Sequence, residues 1–120
     1  MKILIAEDEI FTAMWIIGHL RKLGHDVGEP VATGEEAVKR AEEESPDFIL
    51  MDIRLGGKID GIEAAQRILA HRTIPIAFMT GYSSQAIKAR AANLKPVAYF
   101  NKPLPMDEVE NLLRTILPDT

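Results

Sequence analysis

Five short apolar runs alternate along this chain with five stretches in which apolar residues recur every three or four positions. The runs have the length of buried strands, and the recurrence between them is typical of helices with one buried face. Strands that alternate with helices predict a parallel sheet covered on both sides, so we expect a three-layered, doubly wound (βα)5 fold of the α/β class. The second run is the most polar, which places it at an edge of the sheet. The predicted strands are Ile3–Ala6, Val27–Val31, Phe48–Met51, Ile74–Met79 and Val97–Phe100.

The predicted helices each carry one apolar stripe that should face the sheet. Two of them begin with a capping box, in which Thr33 pairs with Glu36 and Asp60 pairs with Glu63. Helix four is rich in alanine, so it should bury the least apolar area and dock most weakly. The stripes are Ile10, Met14 and Ile17; Ala37, Val38 and Ala41; Ile62, Ala65 and Leu69; Ile87, Ala91 and Leu94; and Val109, Leu112, Leu113 and Ile116.

The length of 120 residues leaves room for one domain, so we expect a single domain over residues 1–120 with no output domain in this chain. A formal charge of -4 disfavours direct binding to nucleic acid or to an anionic membrane. The absence of cysteine excludes disulfides, thiol nucleophiles and thiolate metal sites. The apolar start is broken at Glu7, and no apolar run approaches the ~20 residues of a membrane span. We therefore expect a cytoplasmic chain that is complete from Met1.

Polar side chains follow the apolar runs at the point where each strand should end. Glu7 and Asp8 follow the first strand, Asp52 the third, Thr80 the fourth and Lys102 the fifth. Because parallel strands end at the same edge of a sheet, where ligands bind in doubly wound folds, these groups should converge. A single acid after a strand could be only a helix cap, but three carboxylates held together repel one another unless a cation is present.

The chemistry of this group indicates phosphoryl transfer. Oxygen ligands without histidine or cysteine favour a hard ion, so we expect Mg²⁺, with Mn²⁺ as an alternative. A carboxylate beside such an ion can attack a phosphoryl group, and Asp52 is the natural nucleophile. Lys102 and the Thr80 hydroxyl would then stabilise charge on the transferred oxygens.

Taken in order, these motifs resemble the receiver domains of two-component response regulators, and the resemblance covers the whole chain. It implies the flavodoxin-like strand order 2-1-3-4-5. The matching segments are Ile3 to Glu9, Ile49 to Asp52, Asp60-Gly61, Phe78 to Gly81 and Tyr99 to Pro103.

The resemblance implies a role for each residue of the site. Asp52 would accept a phosphoryl group from a phosphohistidine of a sensor kinase or phosphotransfer protein. Glu7, Asp8 and Asp52 would hold the metal with the backbone carbonyl of Arg54. Thr80 and Tyr99 would be the switch pair, and a cis bond would precede Pro103. The domain would catalyse only its own phosphorylation and dephosphorylation and would not be an enzyme for other substrates.

Several positions depart from the family pattern. Glu7 replaces the more frequent aspartate, and the segment from Arg54 to Ile59 carries two glycines, which predict a mobile loop. Arg54 and Tyr82 stand two residues beyond the acceptor and the switch threonine. Both are bulky, so we expect them to shield the acyl phosphate from water.

Phe11 and Trp15 lie on helix one, off its predicted stripe. A broad apolar face could bury both. Alternatively they form a partner surface with Pro103 and Leu104, which the resemblance implies is where a kinase docks. Phosphorylation would change a second surface, around helix four, strand five and helix five, for an effector, a linked output domain or a homodimer.

Three alternatives stay open. The chain could be a receiver fragment of a longer regulator or hybrid kinase. It could be a phosphatase that forms an aspartyl phosphate, although such an enzyme would want an acid where Arg54 stands. A pseudo-receiver that binds partners without phosphorylation should have lost Asp52, Thr80 or Lys102, and none is lost.

Overall fold

The computed structural model describes residues 1–82 and 84–116. Five strands alternate with five helices, as the apolar pattern predicts. The strands are β1 (Lys2–Ala6), β2 (Asp26–Val27), β3 (Phe48–Asp52), β4 (Ile76–Thr80) and β5 (Ala98–Asn101). The helices are α1 (Ile10–Lys22), α2 (Gly34–Glu44), α3 (Gly61–Leu69), α4 (Gln85–Ala92) and α5 (Met106–Ile116).

The sheet has the order β2-β1-β3-β4-β5, and all of its pairs are parallel. This confirms the predicted fold class, the strand order and the edge position of the second strand. The crossovers of a parallel sheet place helices on both faces, and each face has its own core. Ile49 and Met51 of β3 pack on the side of α2, α3 and α4, whereas Phe48 and Leu50 pack on the side of α1 and α5.

Two strands are shorter than predicted because prolines interrupt their ladders. β2 ends at Val27 and not at Val31, since Gly28 and Pro30 intervene, although Val31 still forms an isolated bridge with Ala6. β4 begins at Ile76 and not at Ile74, because Pro75 has no N–H to donate; its carbonyl accepts from the N–H of Ile49 at 3.1 Å.

The predicted stripe of α1 is wrong at two of its three residues. Ile10 is 52% exposed and Met14 is 60% exposed, and only Ile17 is buried. The buried face consists of Ala13, Ile16, Ile17 and Leu20. Because α1 begins beyond the carboxyl edge of the sheet, its first turn has no strand beneath it, and the face is set by the second and third turns.

In each predicted capping box, the hydrogen bond accepted by the N-cap side chain is confirmed. Thr33 accepts the N–H of Glu36 at 3.1 Å, and Asp60 accepts the N–H of Glu63 at 2.8 Å. Helix α4 buries only Ala91 among residues 85–92, in keeping with its predicted weak docking. None of the helices in residues 1–82 and 84–116 combines the length and the hydropathy that a membrane span requires.

Candidate functional site

The carboxyl ends of β1, β3, β4 and β5 bring the predicted polar residues to one edge of the sheet. Asp52 and Thr80 are the last residues of β3 and β4, whereas Glu7 and Lys102 directly follow β1 and β5. The register of β3 with β4 sets Asp52 beside Met79, so the two strands end nearly level. The parallel topology therefore brings side chains from four separate parts of the chain into one site.

Three carboxylates meet at this edge. Oxygen atoms of Glu7, Asp8 and Asp52 all lie within 4.8 Å of one another. Glu7 is 2% exposed and Asp52 is 3% exposed, whereas Asp8 faces solvent. Three hard oxygen donors without nitrogen or sulfur suit a small divalent cation such as Mg²⁺, and the exposed Asp8 gives such an ion a route of entry.

Lys102 places one positive charge among these three acids. Its Nζ lies 2.7 Å from Oδ2 of Asp52 and also donates to Oε1 of Glu7. Burial lowers the pKa of Lys102, but the hydrogen bonds to Asp52 and Glu7 outweigh burial, so the pKa lies above its usual value. The lysine is therefore fully charged at neutral pH.

Burial acts in the opposite sense on Glu7. It raises the pKa of Glu7 above its usual value, and the neighbouring Asp52 raises it further. Lys102 and the N–H of Glu9, which lies 3.1 Å from Oε2 of Glu7, offset part of that increase. The site thus holds a carboxylate that lacks sufficient compensating charge.

The backbone around Asp52 is closely packed. The N–H of Arg54 donates to Oδ1 of Asp52 at 3.1 Å, which orients the carboxylate. Gly61 lies so close to the Asp52 carbonyl that any Cβ would collide with it. The N–H of Gly61 donates to the carbonyl of Ile53 at 2.8 Å. The sequence pattern predicted Asp60 as a helix cap, but it matched Gly61 only as part of a family motif, so the packing role of Gly61 was missed. A glycine at the first position of a helix is the signal for that role.

The Thr80 hydroxyl is buried and engaged with the loop that follows β4. It donates to the carbonyl of Tyr82 at 2.5 Å and accepts the N–H of Tyr82 at 3.1 Å. Its single proton is therefore used on the loop and not on Asp52. Tyr99 lies on the neighbouring strand, half-buried on the α4 side, with Nζ of Lys88 5.8 Å from the centre of its ring.

The side chains of Arg54 and Tyr82 meet at the mouth of the acidic site. The guanidinium carbon of Arg54 lies 5.9 Å from the centre of the Tyr82 ring, within the range of a cation–π contact. Both residues line a cavity of about 460 Å³ together with Asp8, Asp52 and Lys102.

An apolar groove of about 550 Å³ opens beside the acidic site. Phe11 is 78% exposed and Trp15 is 51% exposed, which excludes the alternative that a broad apolar face buries both. Pro103 and Leu104 also line the groove, and Leu104 is buried. The bond between Lys102 and Pro103 is cis, as predicted. The groove therefore brings together all four residues expected to form a partner surface.

The predicted mobility of the loop from Arg54 to Ile59 does not agree with its contacts. The N–H of Gly56 donates to the carbonyl of Ala32 at 3.0 Å, and the N–H of Lys58 donates to Oε2 of Glu35 at 2.9 Å. Ile59 is buried in the core. The glycines serve this close approach between two loops.

Comparison with known proteins shows the family. The family model described as the response regulator receiver domain matches residues 3–114. The chain belongs to the receiver domains of response regulators. The receiver is 34% identical over 108 residues to the transcriptional regulatory protein PdtaR of Mycobacterium tuberculosis, a match that covers 90% of this chain and 52% of that protein. It is 28% identical to sporulation initiation phosphotransferase F of Bacillus subtilis, covering 98% of this chain and 94% of the relative.

Solved structures show the same likeness. The signal receiver domain of a modulated diguanylate cyclase from Desulfovibrio desulfuricans G20 superposes with a TM-score of 0.88 at 35% identity, covering 95% of this receiver and 90% of that chain. The BeF3-activated N-terminal receiver domain of Klebsiella pneumoniae RstA has a TM-score of 0.88 at 27% identity, and the match covers 99% of this receiver and 100% of that chain. The receiver spans about half the length of PdtaR and of the Bacillus subtilis regulator PhoP. Receivers of two-component systems are signalling modules, and this chain is one of them.

Proposed function

We propose that this receiver takes a phosphoryl group onto Asp52 from a phosphohistidine of a sensor kinase or phosphotransfer protein. One observation carries the proposal: Asp52 is buried with Glu7 and beside Asp8, and its Oδ2 lies 2.7 Å from the ammonium of Lys102. A buried carboxylate that is oriented by a backbone N–H and has a fixed cation beside it can act as a nucleophile toward phosphorus.

The transfer exchanges one bond to phosphorus for another. An oxygen of Asp52 attacks the phosphorus atom, the new O–P bond forms as the N–P bond breaks, and the imidazole leaves with its electron pair and takes up a proton. Bound Mg²⁺, held by Glu7, Asp8, Asp52 and the Arg54 carbonyl, would neutralise charge on the transferred oxygens. The Lys102 ammonium, which already donates to Asp52, would then donate a hydrogen bond to one of the transferred oxygens.

Phosphorylation of Asp52 would also act as a conformational switch. A phosphoryl group brings a charge of about -1.5 to -2 and three strong acceptor oxygens to Asp52. The Thr80 hydroxyl could exchange its bond to the Tyr82 carbonyl for a bond to one of them. Movement of Thr80 and its loop would leave room for Tyr99, on the α4 side of β5, to change position. The proposed output is a population shift in the surface formed by α4, β5 and α5.

Partners follow from the two surfaces. The groove formed by Phe11, Trp15, Pro103 and Leu104 suits the phosphohistidine-bearing helix of a donor protein. We expect the receiver, like such a donor, to be cytoplasmic. The α4, β5 and α5 surface would serve a downstream effector, a linked output domain or a second copy of the receiver. Direct contact with nucleic acid or membrane forms no part of this proposal. A single domain over residues 1–120 remains a prediction, and the half-length match to PdtaR keeps open a receiver within a longer regulator.

A phosphatase acting through an aspartyl phosphate is the second candidate. Such an enzyme needs a general acid for its leaving group, and a second carboxylate two residues after the nucleophile would provide one. Arg54 occupies that position, and its guanidinium lies over the Tyr82 ring at cation–π distance. We therefore favour the phosphoacceptor.

Incubation with Mg²⁺ and acetyl phosphate tests the proposal. Intact mass should show one phosphoryl adduct on the parent receiver and none on Asp52→Asn. Chelation of Mg²⁺ should abolish the adduct. A parent that gains no adduct would overturn the proposal, and an adduct retained by Asp52→Asn would move the acceptor to another residue.

A further inference from the structure

We infer that Glu35, in the first turn of α2, is a positioning residue for the metal site. The inference rests on the proposed function, because it concerns the loop whose Arg54 carbonyl would be the backbone ligand. Glu35 is exposed and lies outside the acidic cluster. It acts on the site through the loop of residues 54–59.

The first step is the bond between Glu35 and this loop. Oε2 of Glu35 accepts the N–H of Lys58 at 2.9 Å. That hydrogen bond is the main reason that the pKa of Glu35 lies below its usual value, and the N–H groups of Glu35 and Ile59 act in the same direction. A charged acceptor strengthens the bond to the backbone.

A second contact joins the same two segments. Thr33 and Gly56 form an isolated parallel bridge, and the N–H of Gly56 donates to the carbonyl of Ala32 at 3.0 Å. The loop is therefore held to the start of α2 at two points, Gly56 and Lys58.

The space between the segments is filled. A Cβ on Gly34 would lie 2.5 Å from Cγ1 of Ile59, and a Cβ on Gly57 would collide with the Glu35 carboxylate. Gly57 also has a positive φ of 87°, which side chains other than that of glycine seldom adopt. The two sides of this junction, residues 32–35 and residues 56–59, thus fit closely against each other.

The junction determines where the Arg54 carbonyl lies. The N–H of Arg54 is bonded to Asp52, and only Leu55 separates Arg54 from the anchored Gly56. Release of Lys58 would leave the contacts of Gly56 to hold the loop against α2, and with one of its two anchors lost the direction of the carbonyl would vary more. Mg²⁺ tolerates such variation poorly, because it requires near-octahedral ligands at short distances.

Glu36 provides a matched control. It is the next residue of the same helix turn, it is exposed, and its loss removes the same charge. Its carboxylate accepts from the Thr33 hydroxyl at 3.2 Å, and among the described residues it has no bond to the loop of residues 54–59. Glu35→Gln adds a conservative variant that removes the charge and retains an acceptor oxygen.

The experiment measures two quantities on the full chain. Calorimetric titration with MgCl₂ gives the Mg²⁺ affinity, and hydrogen exchange followed by NMR in metal-free buffer gives the protection of the Lys58 amide. We expect Glu35→Ala to weaken Mg²⁺ binding about tenfold, the lower end of the range for outer-shell partners. Its Lys58 amide should exchange faster. Glu36→Ala should leave both quantities near those of the parent, and Glu35→Gln should retain most of the affinity.

The other outcomes overturn the inference. Equal weakening in Glu35→Ala and Glu36→Ala would show a general effect of charge or helix stability. Faster Lys58 exchange with unchanged Mg²⁺ affinity would show that the junction does not position the ligand. A parent that binds no Mg²⁺ would remove the proposed function and this inference together, whereas normal binding by both parent and Glu35→Ala would remove the inference alone.

Discussion

Asp60 and Arg90 form an ion pair that joins the start of α3 to α4. Nη1 of Arg90 lies 2.9 Å from Oδ2 of Asp60, and Nη2 lies 3.4 Å from Oδ1. Oδ1 is also the cap that accepts the N–H of Glu63. One carboxylate therefore caps one helix and attaches the next, which buries little apolar surface of its own.

Removal of the two functions of Asp60 should have separable effects on the free energy of unfolding. Asp60→Asn retains the cap and loses the ion pair, so it should destabilise the receiver about as much as Arg90→Ala, by ~0.5 kcal/mol for an exposed pair. Asp60→Ala loses the cap as well and should cost a further ~1 kcal/mol. Urea unfolding measures both. Arg114→Ala, which removes an exposed pair within α5, is the control, and equal effects of Asp60→Asn and Asp60→Ala would contradict the capping role.

The ion pair also predicts a pH dependence. Burial raises the pKa of Asp60, but Arg90 and the Glu63 N–H outweigh burial, so the folded pKa lies below the usual value of 3.8. The stabilisation is therefore fully present above that value and is lost as pH falls through the lower folded pKa. The difference in stability between the parent and Arg90→Ala should be constant near neutral pH and shrink in acid. A difference that grows in acid would show that another group is responsible.

In the metal-free receiver, the raised pKa of Glu7 predicts a destabilisation at neutral pH, whereas the lowered pKa of Asp60 predicts a stabilisation. Folding favours the protonated form of Glu7, so its ionisation opposes folding at neutral pH, and this penalty disappears as pH falls below the raised pKa. Glu7→Gln should therefore be more stable than the parent at pH 7 in EDTA, by an amount that shrinks as the solution is acidified. MgCl₂ should stabilise the parent more than the variant.

Thermal unfolding of parent and Glu7→Gln, with and without MgCl₂, checks this prediction. Glu36→Gln, an equal charge change on an exposed carboxylate, is the control. A Glu7→Gln receiver that is less stable than the parent in EDTA would mean that its hydrogen bond to Lys102 matters more than its burial.

The contact between Arg54 and Tyr82 predicts a slow loss of phosphate. The two side chains meet at the mouth of the cavity that contains Asp52, so they should hinder an attacking water molecule. Arg54→Ala and Tyr82→Ala should each shorten the phosphate lifetime severalfold, whereas Tyr82→Phe, which retains the ring, should not. Decay of the adduct after removal of acetyl phosphate gives the rate, and unchanged decay in both alanine variants would refute the shield.

The apolar groove predicts that Trp15 recognises the phosphodonor protein. Trp15→Ala should slow transfer from a cognate phosphohistidine by about tenfold, as loss of an aromatic hot spot does. Phosphorylation by acetyl phosphate should be unchanged. Met14→Ala removes a similarly exposed side chain that does not line the groove, so it tests specificity. Equal loss with both donors would indicate damage to the acidic site.

The register of the strand ends could be predicted because it depends on local pattern. Glu7, Asp8, Asp52, Thr80 and Lys102 each follow an apolar run, and parallel strands end at one edge whatever the details of packing. Thr33 and Asp60 could be assigned as caps for the same reason, since a cap needs only neighbours within one helical turn.

Contacts between segments distant in the chain could not be predicted. The periodicity of Ile10, Met14 and Ile17 fits a buried stripe, but burial depends on what lies beneath the helix, and the first turn of α1 has no strand there. Gly56 and Gly57 indicate flexibility when read alone, yet Ala32 and Glu35, more than twenty residues earlier in the sequence, accept hydrogen bonds from that loop.

The alternation of apolar runs and helical stripes by itself determined the sheet, its layers and the edge at which the charged residues gather, because strand and helix periods are local properties of the chain. The tertiary structure alone decided which carboxylates are buried, where Lys102 donates, and that Phe11 and Trp15 face solvent. It also decided that Glu35 holds the loop of residues 54–59 and that Arg90 joins α4 to the start of α3. Burial and hydrogen bonding between distant residues depend on the packing of whole elements, and local sequence does not specify that packing.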